Sequence, residues 1–434
     1  MIINPITRFK KFAVSNPVAA RYALDGLFAA LAVNIASNNN NLFALRLGAG
    51  DYQLSLVQFL PQIFTMLILI PGGLFAGSLH NKRRLITGAL ITGAIGYLFC
   101  ALSPFFRFTN AGNEPSSSIY LFIVSLALAV GAVATYNLSW QSFFPEVVDI
   151  NERNYVLTRR SHMDVFISIP LPLLVGTILI HTAASRGKII VHQSFYFFAA
   201  FILVLAAINY RGIKAVRPAS PKRVSLFEIK KAMQNLLRNK QYMFFIAAAL
   251  FFYMMWHFDW TLYFIGQANY MKMNEFQICL TTLGATTVQF LTMRFWSRVN
   301  EKHGVVLPVT FGILGLSLNP VAMIISLSLP ASIAPYVFLI LHAIVSIPLA
   351  TTTLNMLQCL LQVADEENVS FSISVYTCLV CLSNAIMPVL GIALYRSLGG
   401  GRNGLRLCFA IFFFLRILAA GLWLFREKLQ KSQN

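Results

Sequence analysis

Four apolar stretches of the sequence carry side chains able to hold a polar ligand. In "VNIASNNNNLF", Asn34, Asn38 and Asn41 fall within about 60° of one another on a continuous helix, with Ser37 beside them, while Asn39 and Asn40 point elsewhere. In "YNLSWQ", Asn137 and Gln141 stand at i, i+4, flanked by Tyr136 and Trp140. In "NMLQCLLQ", Asn355, Gln358 and Gln362 are spaced i, i+3, i+7. In "YMMWHFDWTLY", Tyr253, Trp256, His257 and Trp260 share a face, and Asp259 lies roughly opposite His257. Amides both donate and accept, so they satisfy hydroxyls or carbonyls of a solute, and aromatic rings cover its apolar faces. An unpaired amide in an apolar medium costs roughly 2–7 kcal/mol, so these stripes must face protein or water. Two readings stay open: the amides line an aqueous cavity, or they bind helix to helix for about 1–2 kcal/mol or less each. The tryptophans are equally consistent with plain packing.

Ionisable groups inside apolar runs are functional candidates by default. Asp259 and His257 lie deepest, and histidine titrates near neutral pH, which makes them the candidates for proton coupling. Asp25 follows Arg21 by four residues and is expected to pair with it, as Asp164 is with Arg160. His342 is expected to be a satisfied buried histidine. No GxGxxG, Walker loop, HExxH or GxSxG occurs in a suitable context. The residues therefore indicate neither an enzyme nor an ATP-driven pump, and no metal or cofactor is expected. The six cysteines all sit in apolar runs, where a free thiol packs as a small hydrophobe; the CxxC of Cys378 and Cys381 is read the same way.

The elements that must position these groups follow from composition. The chain has 434 residues, 57% hydrophobic and 11% charged, with mean hydropathy +0.67; soluble domains are nearer a quarter charged. An integral membrane protein is the class this implies. At about 20 apolar residues per crossing, twelve spans are expected, at 22–45, 53–76, 85–107, 118–144, 163–183, 189–210, 242–266, 274–295, 304–329, 333–361, 369–396 and 403–425. The N-terminus lacks the short apolar core and small-residue site of a cleaved signal. Most of the 34 lysines and arginines fall at the N-terminus, in the loops after even-numbered spans and at the C-terminus. Both termini are therefore expected in the cytoplasm. That placement accounts for the net charge of +19 without a nucleic-acid partner, the lipid bilayer being the expected surroundings.

The longest basic loop, 211–240, falls at mid-chain. Ser225 and Glu228 fit a capping box, and Leu226, Ile229, Met233 and Leu236 follow at helical spacing, so a short amphipathic helix is expected there. The expected organisation is a six-helix bundle over 1–210, a linker over 211–240 and a second bundle over 241–434. Weak echoes support a repeat: Pro172 with Gly176 against Pro388 with Gly391, and "DYQLSL" against "NEFQICL".

The loop "GSLHNKRRL", Gly77 to Leu85, resembles the cytoplasmic signature of the major facilitator superfamily, Gly-x-Leu-x-Asp-Arg-x-Gly-Arg-Arg. Gly77 and Leu79 match, Lys82 stands for the first Arg, and Arg83 and Arg84 close the motif. Asn81 replaces the acid and the x-Gly pair is missing. A second copy, "SRVNEKHG", places Glu301, Lys302 and Gly304 on the Asp, Arg and second Gly positions. The resemblance implies an all-α integral membrane protein of twelve transmembrane helices in two six-helix bundles, multi-pass in the cell membrane. It implies gating roles for Gly77, Asn81, Lys82, Arg83, Glu301 and Lys302, against simple charge anchoring. It also implies that spans 1, 4, 7 and 10 line a central cavity, and these are the spans holding the amides and aromatic residues. Asn34, Asn38, Asn41, Asn137, Trp140, Gln141, Trp256, Trp260, Asn355 and Gln358 are then candidates for substrate binding, with Asp259 and His257 for coupling to protons. A secondary transporter of a small polar, uncharged solute is the function expected. Efflux of amphipathic drugs or lipids, and a non-transporting sensor or assembly protein, are the alternatives.

Overall fold

The computed structural model describes residues 17–37, 39–75, 82–106, 117–148, 153–182, 185–213, 226–364 and 369–431. All its regular elements are helical, with no strand among the described residues. Two compact units are distinguished. The first comprises Met1–Gly48, Leu67–Ile178 and Thr182–Val224, and the second Ala49–Met66, Leu179–His181 and Ser225–Asn434.

The first unit holds α1 (Pro17–Ser37) and α2 (Asn40–Arg46). It also takes the second part of α3 (Asp51–Phe75), whose start up to Met66 counts with the second unit. There follow α4 (Lys82–Leu102), α5 (Ser117–Val147), α6 (Arg153–Ser168), α7 (Pro170–His181), whose last residues count with the second unit, and α8 (Ser185–Arg211). α4 packs on α5 and α8, and α1 on α6 and α8. The expected continuous first span is interrupted: α1 ends at Ser37 and α2 starts at Asn40. The asparagine run marks this junction, as fits a side chain that competes with the helical backbone for hydrogen bonds. The fifth span is also divided, α7 beginning at Pro170, whose ring removes an N–H and disfavours helix before it.

The second unit holds α9 (Leu226–Arg238), α10 (Lys240–His257) and α11 (Trp260–Ile265), which a π-turn extends through Tyr270. α12 (Glu275–His303), α13 (Val306–Leu316), α14 (Leu318–Leu327), α15 (Ala334–Val345), α16 (Leu349–Leu361), α17 (Val369–Ser397) and α18 (Gly401–Lys431) complete it. "NEFQ" starts α12 as a reciprocal cap: Asn274 Oδ1 accepts from the Gln277 N–H at 2.8 Å, and Gln277 Oε1 from the Asn274 N–H at 3.0 Å. The core gathers Tyr242, Phe245, Phe252, Met356 and Trp423, all buried. A helix does form where the amphipathic one was expected, α9, and it counts with the second unit; Leu236 is buried in this core while Met233 is exposed. Ser225 lies outside the described residues.

Among the described residues, seven stretches are long and apolar enough to cross a bilayer, those of expected spans 3, 4, 6, 7, 9, 11 and 12. α15 and α16 make an eighth if counted as one span bent by 41°. The break falls just before Pro348. Span 5 contains only the shorter apolar helix Phe166–His181. Spans 1, 2 and 8 are helical but fall outside that set, so twelve crossings are not established by length and apolarity. α12 shows the reason: Thr281, Thr282, Thr286, Thr287, Arg294 and Arg298 dilute it.

Candidate functional site

Among the described residues, each unit buries one carboxylate within its apolar helices, Asp25 and Asp259, and each meets an arginine. In the first unit the close approach of α1 and α6 comes from Gly26. A Cβ there would lie 2.6 Å from the Arg160 carbonyl oxygen and 2.7 Å from its Cγ. With nothing in the way, Arg160 Nε donates to Asp25 Oδ2 at 3.2 Å. The Tyr136 hydroxyl lies 2.7 Å from both carboxylate oxygens, and the Tyr210 hydroxyl donates to Oδ2 at 3.1 Å. Arg160 also donates to the Tyr136 hydroxyl at 3.2 Å, and its guanidinium lies over the Trp140 ring at 3.9 Å.

The expected i, i+4 pairs are therefore not the ones formed. Arg21 turns instead to the end of α8, donating to the Asn209 carbonyl at 3.0 Å while Asn209 Nδ2 donates to the Arg21 carbonyl at 2.9 Å. Arg160 is drawn from Asp164, which is exposed, to Asp25, which is fully buried. Burial decides the choice: an exposed pair contributes little, whereas an unpaired buried carboxylate is costly.

The asparagines divide by environment. Asn34 Nδ2 donates to the Ala30 carbonyl at 2.9 Å and to Ser168 Oγ at 3.0 Å. Asn38 lies outside the described residues. Asn41 sits on α2, a different helix from Asn34, so the expected single stripe is not one helical face. Asn40 accepts from the Tyr196 hydroxyl at 2.7 Å. On α5 the i, i+4 spacing holds: Asn137 and Gln141 are exposed, while Trp140 between them is buried. An exposed amide within an apolar span must face water or protein, because hydrocarbon offers it no partner.

In the second unit, α10 stops at His257 and α11 restarts at Trp260. The expected aromatic face forms as a continuous cluster. Trp256 stacks on His257 at 5.9 Å, Trp260 meets His257 edge-on at 4.7 Å, and Tyr253 lies 6.0 Å from Trp256. His257 Nδ1 is 3.1 Å from Ser383 Oγ. On the other side of the break, Asp259 Oδ2 pairs with Arg416 Nη2 at 2.6 Å, both side chains fully buried. Arg416 also donates to the carbonyls of Leu316 at 3.0 Å and Trp256 at 3.3 Å. Gly391 of α17 permits this arrangement, since a Cβ there would collide with the Phe258 carbonyl oxygen at the break. Asn355 is engaged internally: its amide exchanges two 2.8 Å hydrogen bonds with Asn300 and donates to Thr351 at 2.9 Å. Gln358 is exposed.

Of the expected gating residues, Gly77 and Asn81 lie outside the described residues. Lys82 is buried and pairs with Glu146 at 2.5 Å, so an acid from the end of α5 supplies the negative charge that Asn81 lacks. Arg83 Nη1 reaches the carbonyls of Arg211 and Ile213 at 3.4 Å each. Glu301 and Lys302 are exposed at the end of α12. Sequence reading passed over Glu146, Tyr210 and the pairing role of Arg160 and Arg416. The available signal was that an arginine and an aspartate inside apolar runs each need a counterpart. Among the described residues, no three His, Cys, Asp or Glu side chains gather as a metal site.

The family model described as Major Facilitator Superfamily matches residues 24–357. No curated protein matches the chain. Among solved structures, the POT family transporter PepTSo is 13% identical over 96% of this chain and 98% of its own, with TM-score 0.70. The nucleoside transporter NupG is 10% identical over 94% and 99%, with TM-score 0.69. The xylose transporter XylE from E. coli is 12% identical over 93% and 95%, with TM-score 0.60. At these identities the likeness is one of fold.

Proposed function

The chain belongs to the major facilitator superfamily of membrane transporters, and from that premise we propose that it is a secondary active carrier of a small, polar, uncharged solute, working by alternating access. The carrying observation is the division of polar groups. Asp25 and Asp259, carboxylates buried in the apolar helices, are each matched by an arginine, whereas Asn137, Gln141 and Gln358 are exposed amides. A site offering amides and rings suits hydroxyl- or carbonyl-bearing solutes. The relatives named for xylose and nucleosides support the same class. Asn34, Asn41, Trp140, Trp256 and Trp260 belong to this proposed site, with the cell membrane as its location and both termini in the cytoplasm.

Proton coupling belongs to the proposal through Asp259. Protonating it removes the negative partner of Arg416 and frees that guanidinium to re-pair, and His257 at the same helix break would pass the proton.

The test is the melting temperature of the detergent-purified protein against a solute panel, since a ligand of the folded state stabilises it by RT ln(1 + [L]/Kd). Neutral sugars and nucleosides are expected to raise it, and the double substitution Asn137→Ala/Gln141→Ala is expected to abolish the rise. A rise confined to lipophilic cations and lysolipids would replace this reading with efflux, and no response to either group would favour a protein that does not transport. For coupling, Asp259→Asn in proteoliposomes should abolish proton-driven accumulation and spare exchange; unchanged accumulation removes Asp259 from the mechanism.

A further inference from the structure

We propose that α9 is a membrane-surface helix: it lies at the boundary of the bilayer and binds the headgroups of anionic phospholipids through Lys230, Lys231 and Arg238, with Met233 and Leu237 set into the acyl layer. This goes beyond the transport reading and stands whichever solute is carried.

Helical spacing sorts α9 into four strips. Ile229, Ala232 and Leu236, at i, i+3, i+7, form the first, and the protein takes it: Leu236 is 2% exposed and packs in the core with Tyr242, Phe245 and Trp423. Lys230, Met233 and Leu237 form the second, and here apolar surface is left open, Met233 being 37% and Leu237 59% exposed. Lys231, Gln234 and Arg238 form the third, all exposed. Glu228, the one acid in the helix, and Asn235 fall on the fourth. Around the helix the order is therefore protein-facing, apolar, basic, polar, with the open apolar strip opposite the polar one. A helix lying in a membrane interface needs that order, its apolar face toward the acyl boundary and its basic residues at the headgroups.

The level of α9 in the second unit points to a bilayer as the medium that meets the open strip. Leu236 shares its core with Tyr242 and Phe245 at the start of α10, Leu360 at the end of α16 and Trp423 near the end of α18. α10 opens the apolar stretch Lys240–Tyr270, and α18 closes the stretch Gly401–Lys428. α9 thus sits where membrane-crossing helices leave the hydrocarbon. Exposed apolar surface resumes at once on α10, at Met243 and Phe244. An acidic protein would answer the charges but gives no reason for an open apolar strip at this level. Charge then selects the lipid. Lys230, Lys231, Arg238 and the following Lys240 are all exposed, and basic clusters beside a membrane helix are drawn to anionic headgroups. The Lys230 stem can lie along the apolar strip while its ammonium reaches the headgroup layer.

The test uses the full chain in lipid nanodiscs, with hydrogen–deuterium exchange of the α9 amides read by mass spectrometry. In discs containing about one-third dioleoyl-phosphatidylglycerol, α9 is expected to exchange about tenfold more slowly than in dioleoyl-phosphatidylcholine alone. Exchange of α18 should be the same in both. Lys230→Gln/Lys231→Gln/Arg238→Gln should remove the difference at α9, as should about 0.5 M salt. Met233→Gln/Leu237→Gln should speed α9 exchange in both kinds of disc. These substitutions change exposed side chains, and unchanged exchange over α10 and α18 checks that each variant is folded; where a charge variant is not, the salt comparison decides. Equal α9 exchange in the two kinds of disc overturns the anionic lipid as partner. A difference that survives the triple substitution overturns the basic residues as its site. Exchange insensitive to Met233→Gln/Leu237→Gln puts that strip in water and overturns the placement at the membrane surface.

Discussion

Asp25 in the first unit is surrounded by donors: Tyr136, Tyr210 and Arg160 all reach it, and Arg160 keeps 17% of its side chain exposed. Asp259 in the second unit has Arg416 on one oxygen, and that arginine is 1% exposed and also bonds backbone carbonyls of two other helix ends. The first pair sits within a hydroxyl network that would persist if the charge were lost. The second is an isolated ion pair that fastens a broken helix to its neighbours. A buried charge thus has different consequences according to whether its companions are neutral donors or a single opposite charge.

The largest expected effect tests that contrast. Asp259→Ala leaves Arg416 uncompensated and should cost about 3–5 kcal/mol, read by reversible unfolding in mixed detergent. Adding Arg416→Met should restore most of it. A double variant no better than the single one would mean that Arg416 holds the helix ends through its carbonyl contacts alone. Next come the two glycines. Gly391→Ala and Gly26→Ala each force helices apart and should cost about 1–3 kcal/mol, with Gly391→Ala the larger because its collision is the closer. Asp25→Asn should cost about 1–2 kcal/mol, since the tyrosines can still donate to the amide oxygen. A loss equal to that of Asp259→Ala would remove the distinction between the pairs. The smallest effect belongs to Asp51, which pairs with Arg396 at 3.8 Å with both side chains substantially exposed. Asp51→Asn should change stability by less than about 0.5 kcal/mol.

The helical, membrane-embedded class was legible because apolar runs and basic loops are properties of composition and order alone. The aromatic cluster from Tyr253 to Trp260 was legible for a related reason: local spacing decides it, even across the break after His257. Charge partners were not. Arg21 and Arg160 each stood four residues from an aspartate, and both turned elsewhere, because partner choice depends on which carboxylate is buried. Sequence separation conceals this: Asp25 and Arg160 are 135 residues apart. The asparagine run misled in another way. Reading it as one stripe required an unbroken helix, and residues that favour turns are those apt to break it. Glu146 was obscured by motif reading, which looked for the acid inside the loop at Asn81, whereas the fold supplies it from the next helix.

Both ion pairs close within their own unit, Asp25 with Arg160 and Asp259 with Arg416. A transmembrane potential does work on net charge, about 2.3 kcal/mol per elementary charge per 100 mV. A movement that carries an intact pair displaces opposite charges together, so the two contributions cancel. While both pairs are intact, the membrane voltage has almost no purchase through these four residues; protonation of Asp259, as proposed for coupling, leaves the Arg416 charge uncompensated, and the voltage acts on the second unit in that state alone.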